Sequence, residues 1–200
     1  MAAGSPPTPQ ATAADVLGLP PDAVGEILAG EVVEKAAPSF AHGQAQRSVG
    51  ARLDGFARRP GKHGPGGWWL ATEVDVEYTL HDVYRHDVVG WRRERAPAPP
   101  TERPVKLLPD WVCEVLSPSN WANDTVLKFR MLQQQGVPFY WVIDLEHRVL
   151  TVYELAGSTY NVAAVARPGE RARLVPFHAL ELEVATLFGD DPSDDDERAP

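Results

Sequence analysis

Glu114 is the residue whose surroundings fit its chemistry least. It stands in Asp110-Trp-Val-Cys-Glu-Val-Leu116, a run largely apolar on both faces, where strand alternation groups it with Val112 and Leu116. An ionised carboxylate left there alone is costly, so it needs a cation, a metal or a proton. Asp87 raises the same demand more weakly, because Val88, Val89 and Trp91 follow it. Two acids on adjacent strands could converge on one divalent ion. Magnesium prefers oxygen ligands and usually takes one or two carboxylates, with waters and substrate phosphates completing its shell. Lys128 supplies the missing cation, since its helix starts directly after the strand of Glu114. A lysine there could orient an attacking water while a metal polarises a phosphate. Asp124, four residues earlier on the same helical face, could pair with Lys128 or contact the site from outside.

Plainer roles exist for each of these residues. Glu114 could be satisfied by an arginine, Asp87 could end a strand, and Asp124 with Lys128 could form a surface helix pair. His42 opens the first long helix and could face the site, but a solvent-facing or capping role suits it better. Glu31 follows a hairpin glycine and reads as a turn residue. Glu73, Asp75 and Glu77 read as the wet face of a strand, and Ser117 and Ser119 as caps. Cys113 is the single cysteine, so no internal disulfide can form; its apolar neighbours make it a small core residue. No Gly-x-Ser-x-Gly turn, zinc-like Cys/His spacing or glycine-rich strand-to-helix turn is present.

The elements that must position the acids follow from periodicity and turn chemistry. Glu26 to Glu34 reads as a hairpin turning at Ala29-Gly30. Ala45, Val49, Leu53 and Phe56 recur at helical steps, and Pro60 with its following glycines ends that helix. Trp68 to Leu80 and Tyr84 to Trp91 read as strands joined near His81-Asp82, followed by a proline-rich loop over 94–109. The 110–116 strand, a helix from about Ala122 to Gln135 capped by Gly136, and the buried strand Phe139 to Asp144 form a strand-helix-strand unit. That unit implies parallel strands joined by a crossover. Arg148 to Leu155 reads as a hairpin partner, Tyr160 to Ala166 as a further strand, and 172–188 as the closing segment. The expected fold is α/β, a mixed β-sheet flanked by helices with antiparallel hairpins at its edges.

At 200 residues the chain suits one domain, and 44% hydrophobic residues suffice for a core. Residues 1–13 read as a disordered leader, 14–189 as the domain and 190–200 as a solvated acidic tail. The tail carries six acids and one base, so it holds −5 of the formal net charge of −9. The mildly acidic body argues against strong nonspecific nucleic-acid binding but leaves room for a local groove. No apolar run approaches the roughly 18 residues of a membrane helix, and the N-terminus lacks a signal-peptide pattern, so a cytoplasmic location is expected.

The stretch Pro109-Asp-Trp-Val-Cys-Glu-Val-Leu-Ser-Pro-Ser-Asn120, with Asp124, Lys128 and Gly136-Val-Pro-Phe-Tyr-Trp-Val-Ile-Asp144, resembles the Uma-two family. This is a bacterial branch of the PD-(D/E)XK restriction-endonuclease-like superfamily. The Ile27–Val33 hairpin, the His42 helix and the Asp87-Val-Val strand follow in the family's order, and the resemblance spans roughly residues 15–188. It implies a restriction endonuclease-like core and hydrolysis of DNA phosphodiester bonds with Mg2+ or Mn2+. Asp87 takes the place of the first acid and Glu114 of the second, with the Val115 backbone carbonyl as a further metal ligand. In this family the lysine usual two residues after the second acid is absent; that position is here Leu116, and the resemblance implies that its role passes to the following helix, at Lys128. Two positions depart from the family: His86 stands where proline usually precedes the first acid, and Leu132 where an aromatic is common. A homodimer is the expectation from double-strand cutting by related folds. The alternative is a non-catalytic nucleic-acid-binding or protein-interaction module that keeps the nuclease fold.

Overall fold

A computed structural model describes residues 10–61, 64–116 and 123–193, without the side chains of 123–125. Most of the expected leader, the Ser117–Asn120 strand stop with the Ser117 and Ser119 caps, the Asp124 side chain and the tail from 194 onward lie outside the described residues.

The first hairpin pairs β1 (Gly25–Leu28) with β2 (Glu31–Glu34). Ala29 and Gly30 both adopt positive φ, 51° and 84°, as a tight turn matched to strand twist requires. The last residues of the expected leader are ordered. Ala11 N–H donates to the Gly30 carbonyl, and Thr12 caps α1 (Ala13–Leu17), which packs Val16 against Ile27 and Val83. Helix α2 (Phe40–Arg52) buries Ala45 and Val49. Leu53 and Phe56 complete its apolar face from the turns beyond its end.

Two long strands follow, β3 (Trp68–Thr79) and β4 (Asp82–Arg92), paired antiparallel along almost their whole length. The proposed wet face of β3 needs correction at Asp75, which is buried. The proline-rich loop returns over it, with Val105 bridging Val76 and bonding the backbone at Asp75 and Glu77. Arg85 and Arg103 then neutralise the Asp75 carboxylate. Strand β5 (Trp111–Leu116) is buried throughout and runs parallel to β6 (Phe139–Asp144). The connecting helix is less regular than its periodicity suggests. A π-helical segment, Asn123–Lys128, precedes α3 (Phe129–Gln134), and Gly136 closes it at φ 76°. Strands β7 (Val149–Ala156) and β8 (Thr159–Ala166) extend the sheet as an antiparallel pair. The closing segment holds β9 (Arg171–Ala172), β10 (Leu182–Glu183) and a 3-10 turn, Val184–Phe188.

The sheet order is β2-β1-β4-β5-β6-β7-β8, with β3 on the other edge of β4. Both faces are covered. Trp111, Cys113 and Val115 join the α2 residues, Trp141 and Phe177 in one core; Val112 and Leu116 join Leu132, Tyr140 and Val142 in the other. The feature that matters for function is a break in the ladder. The edge of β4 that faces β1 pairs with it at Ile27↔Val83, and pairing with β5 begins only at Val88↔Cys113. Between them, residues 84–87 have no partner strand on that edge among the described residues.

Candidate active site at the break in the ladder

A buried peptide group without a strand neighbour must bond elsewhere, and at Arg85 it bonds to charged side chains. Arg85 N–H donates to Glu26 Oε1 at 2.7 Å. Its carbonyl accepts from Lys35 Nζ at 3.1 Å and Lys128 Nζ at 3.4 Å. Around this peptide runs a chain of alternating charges. Lys35 lies 3.4 Å from Asp87 Oδ1 and 3.8 Å from Glu26 Oε1; Lys128 lies 2.8 Å from Glu26 Oε1 and 3.4 Å from Glu114 Oε1. Asp87 is 1% exposed, and Glu114 and Lys128 are 0% exposed. Among the described residues, Glu26, Asp87 and Glu114 carry three formal negative charges against the two lysines.

The three residues singled out by sequence occupy neighbouring parts of this network. Asp87 Oδ2 accepts the Val115 N–H at 2.8 Å, so the first acid is tied to the residue after the second. Lys128 meets Glu114 directly. Burial works against the Asp87 charge, but His42 and Lys35 outweigh it and hold the carboxyl below its ordinary range. Burial and Lys128 oppose the charge on Lys35. Glu114, Asp87 and Glu26 outweigh them and raise its pKa.

His86, the departure from proline, gives Glu114 a further partner. Its Nδ1 is 2.5 Å from Glu114 Oε1, and its Nε2 is 2.7 Å from the Tyr78 hydroxyl. A carboxylate can only accept, so Nδ1 carries the proton and Nε2 accepts from Tyr78. Burial, then Lys128 and Lys35, push the ring's pKa well below its usual value, so it stays neutral. Burial first and Glu114 second push Tyr78 well above its own, so its hydroxyl remains a donor.

His42 requires a correction. Its backbone N–H is capped by Ser39, but its ring turns inward, with Nε2 3.3 Å from Asp87 Oδ1. The signal was available: His42 lies three residues before Ala45 and so extends the buried Ala45–Val49–Leu53 face by one turn. Glu73 also approaches. It sits across the ladder from Asp87, between the pairs Thr72↔Val88 and Val74↔His86, and Gln46 Nε2 bridges Glu73 Oε1 at 2.8 Å to the Asp87 carbonyl at 2.7 Å. Ligand atoms of His42, Glu73 and Asp87 all lie within 4.8 Å of one another. Glu26 and Lys35 were missed by sequence reading, although Glu26 shows the same anomaly as Glu114, an acid beside Ile27 and Leu28. Glu31 is exposed at the hairpin, as a turn residue should be, and Cys113 is a buried free thiol.

A mixed sheet with antiparallel hairpins, one parallel strand-helix-strand unit, and acids and lysines gathered where the ladder opens places the chain among restriction endonuclease-like α/β folds. The chain belongs to the Uma2 family, described as a putative restriction endonuclease, whose sequence model matches residues 14–186. A solved structure, a putative nuclease belonging to DUF820 from Anabaena variabilis ATCC 29413, shares the fold. It has a TM-score of 0.69 and 20% sequence identity, covering 89% of this chain and 97% of that chain. A search of curated proteins finds no match. Among the described residues, no helix is long and apolar enough to cross a membrane.

Proposed function

We propose that the protein is a metal-dependent endonuclease that hydrolyses phosphodiester bonds in DNA, in the cytoplasm, working as a homodimer where both strands are cut. The observation that supports this reading is the buried network at the open stretch of β4 that links Asp87, through Lys35 and Glu26, to Lys128 and Glu114. Asp87 and Glu114 would hold Mg2+ or Mn2+ with the Val115 carbonyl. In a strand, N–H and carbonyl of one residue leave on the same edge, and the Val115 N–H already points to Asp87. Their donor chemistry fits, because oxygen ligands from two acids suit these ions. When bound, such an ion polarises the phosphate and lowers the pKa of an attacking water.

Lys128 acts as a donor, not a base, because two carboxylate oxygens flank its Nζ. It would orient the attacking water or offset charge on the phosphoryl oxygens in the transition state. His86 holds Glu114 from behind, and Tyr78 fixes the His86 ring that does so. Water attack forms a P–O bond and breaks the bond to the leaving sugar oxygen, which takes up a proton.

The test is cleavage of plasmid DNA by purified protein with Mg2+ or Mn2+. Wild type should cut, and Asp87→Asn and Lys128→Ala should not; cutting that survives Lys128→Ala overturns the assignment. The complete burial of Glu114 and Lys128 favours a second reading, a binding module that retains the fold with its site closed as a structural ion network. Absence of cleavage of any nucleic acid with either ion would select it.

A further inference from the structure

Buried Asp75 holds two arginines where one would balance its charge. Arg85 grips it with two nitrogens, Nε donating to Oδ1 at 2.6 Å and a terminal nitrogen to Oδ2 at 2.9 Å. Arg103 is held by Nε alone, which donates to Oδ2 at 3.1 Å. Its side chain is 67% exposed, and its two terminal nitrogens have no hydrogen-bond partner among the described residues. The buried acid thus fixes the inner edge of this guanidinium and leaves its outer fork aimed at solvent. The loop that carries Arg103 is fixed as well. Val105 N–H donates to the Asp75 carbonyl at 2.8 Å, and the Val105 carbonyl accepts from Glu77 N–H at 2.9 Å. Arg85 and Arg103 line a surface hollow of about 420 Å³ with Glu73, Thr101 and Glu102. The hollow adjoins the candidate active site. Glu73 faces Asp87 across the β3–β4 ladder, and Arg85 precedes Asp87 by two residues, roughly 7 Å along the strand.

The charges decide what the hollow takes. Among the described residues that line it, Glu73, Asp75 and Glu102 outnumber the two arginines, so a phosphate is disfavoured. An uncharged edge that offers acceptors to the fork and a donor to a carboxylate suits both signs. In DNA the major-groove edge of a G·C pair has that combination: guanine O6 and N7 accept from arginine, and cytosine N4 donates to a carboxylate. We infer that this hollow reads a G·C base pair of bound DNA beside the candidate active site, with Arg103 on guanine and Glu102 on cytosine. The inference rests on the endonuclease reading for its choice of DNA, and it names the residues that set sequence preference. Asp75 is a positioning residue, acting through the guanidinium it holds.

The test is selection from a randomised DNA duplex library by the purified full chain, without added metal to keep binding apart from cutting, followed by sequencing of the bound fraction. Wild type should enrich a G·C pair at one fixed position. Arg103→Gln should lower that enrichment at least ~5-fold, the low end for one bidentate base contact, while any other enriched position holds. Glu102→Ala should relax the same base pair. A wild type with no enriched G·C pair, or a preference that Arg103→Gln leaves intact or relaxes equally at every position, overturns the inference. Should a variant not fold, wild type decides alone. Replacing the selected guanine by 7-deazaguanine removes the N7 acceptor and should weaken binding, read by fluorescence anisotropy, at least ~5-fold; unchanged affinity overturns the inference. Plasmid cleavage with Mg2+ is scored separately. Cutting without any base preference removes this inference and leaves the endonuclease reading. A G·C preference that needs Arg103, with no cutting, keeps the inference and removes that reading.

Discussion

Replacing Lys128 by methionine keeps most of the side chain's volume and removes its charge. The ammonium lies 2.8 Å from Glu26 Oε1, and 3.4 Å from both Glu114 Oε1 and the Arg85 carbonyl. At an effective dielectric of about 20, each carboxylate contact is worth roughly 5 kcal/mol before desolvation, and desolvating the ammonium returns several of those. The variant does not simply lose the difference, because Glu26 and Glu114 stay buried and now repel each other. Breaking a buried pair from one side costs about 3–5 kcal/mol, a large share of the roughly 5–15 kcal/mol that holds a domain together. Urea unfolding of Lys128→Met at pH 7 should show that loss with an unchanged m-value. The pH dependence separates charge from packing. With the cation gone, one carboxyl takes up a proton more readily folded than unfolded, so the folded state binds more protons and acid favours it. The gap between wild type and variant should therefore narrow from pH 7 to pH 5. A loss below about 1 kcal/mol, the range of exposed pairs, or a gap that widens on acidification would refute the buried network.

Two further expectations concern groups whose ionisation burial suppresses. Neutral His86 has a depressed folded pKa, so below about pH 6.5 the unfolded chain binds a proton that the folded chain does not. Stability should fall on acidification by up to ~1.4 kcal/mol per pH unit from this ring; urea unfolding of His86→Gln should show a shallower slope, and equal slopes would exclude it. The Cys113 thiol is raised well above its usual value, by burial first and then by Asp87 and Glu114. It should react with a disulfide reagent only as fast as the chain opens, and rapid labelling of native protein would contradict its placement.

Legibility in the sequence followed the range of the interactions. The hairpin at Ala29-Gly30 and the apolar strand 111–116 were readable because their signals lie within a few residues. Glu114 and Lys128 stood out for the same reason, as charges against a local apolar or helical pattern. Asp75 was misread because alternation along β3 says nothing about a loop that returns 30 residues later to cover it. The π-helical start of the crossover was not readable from spacing alone. Lys35 has no local motif, and Glu26 shows only an acid beside Ile27 and Leu28; the roles of both exist because β1 and β5 meet β4 at separate places.

That separation also accounts for the position of the lysine. Leu116, two residues after Glu114, is packed in the apolar core with Leu132 and Val142, so an ammonium there would have to leave that core. The carboxylate of Glu114 does not require a cation from its own strand. It requires one at the open stretch of β4, and the Arg85 carbonyl marks the spot by accepting from both Lys35 and Lys128. Groups that satisfy the stranded peptide are thus the groups that would meet a phosphate. Changing one should disturb folding and chemistry together, which is why a charge-keeping variant, Lys128→Arg, is the sharper probe: it retains the cation, and any loss it shows reports geometry alone.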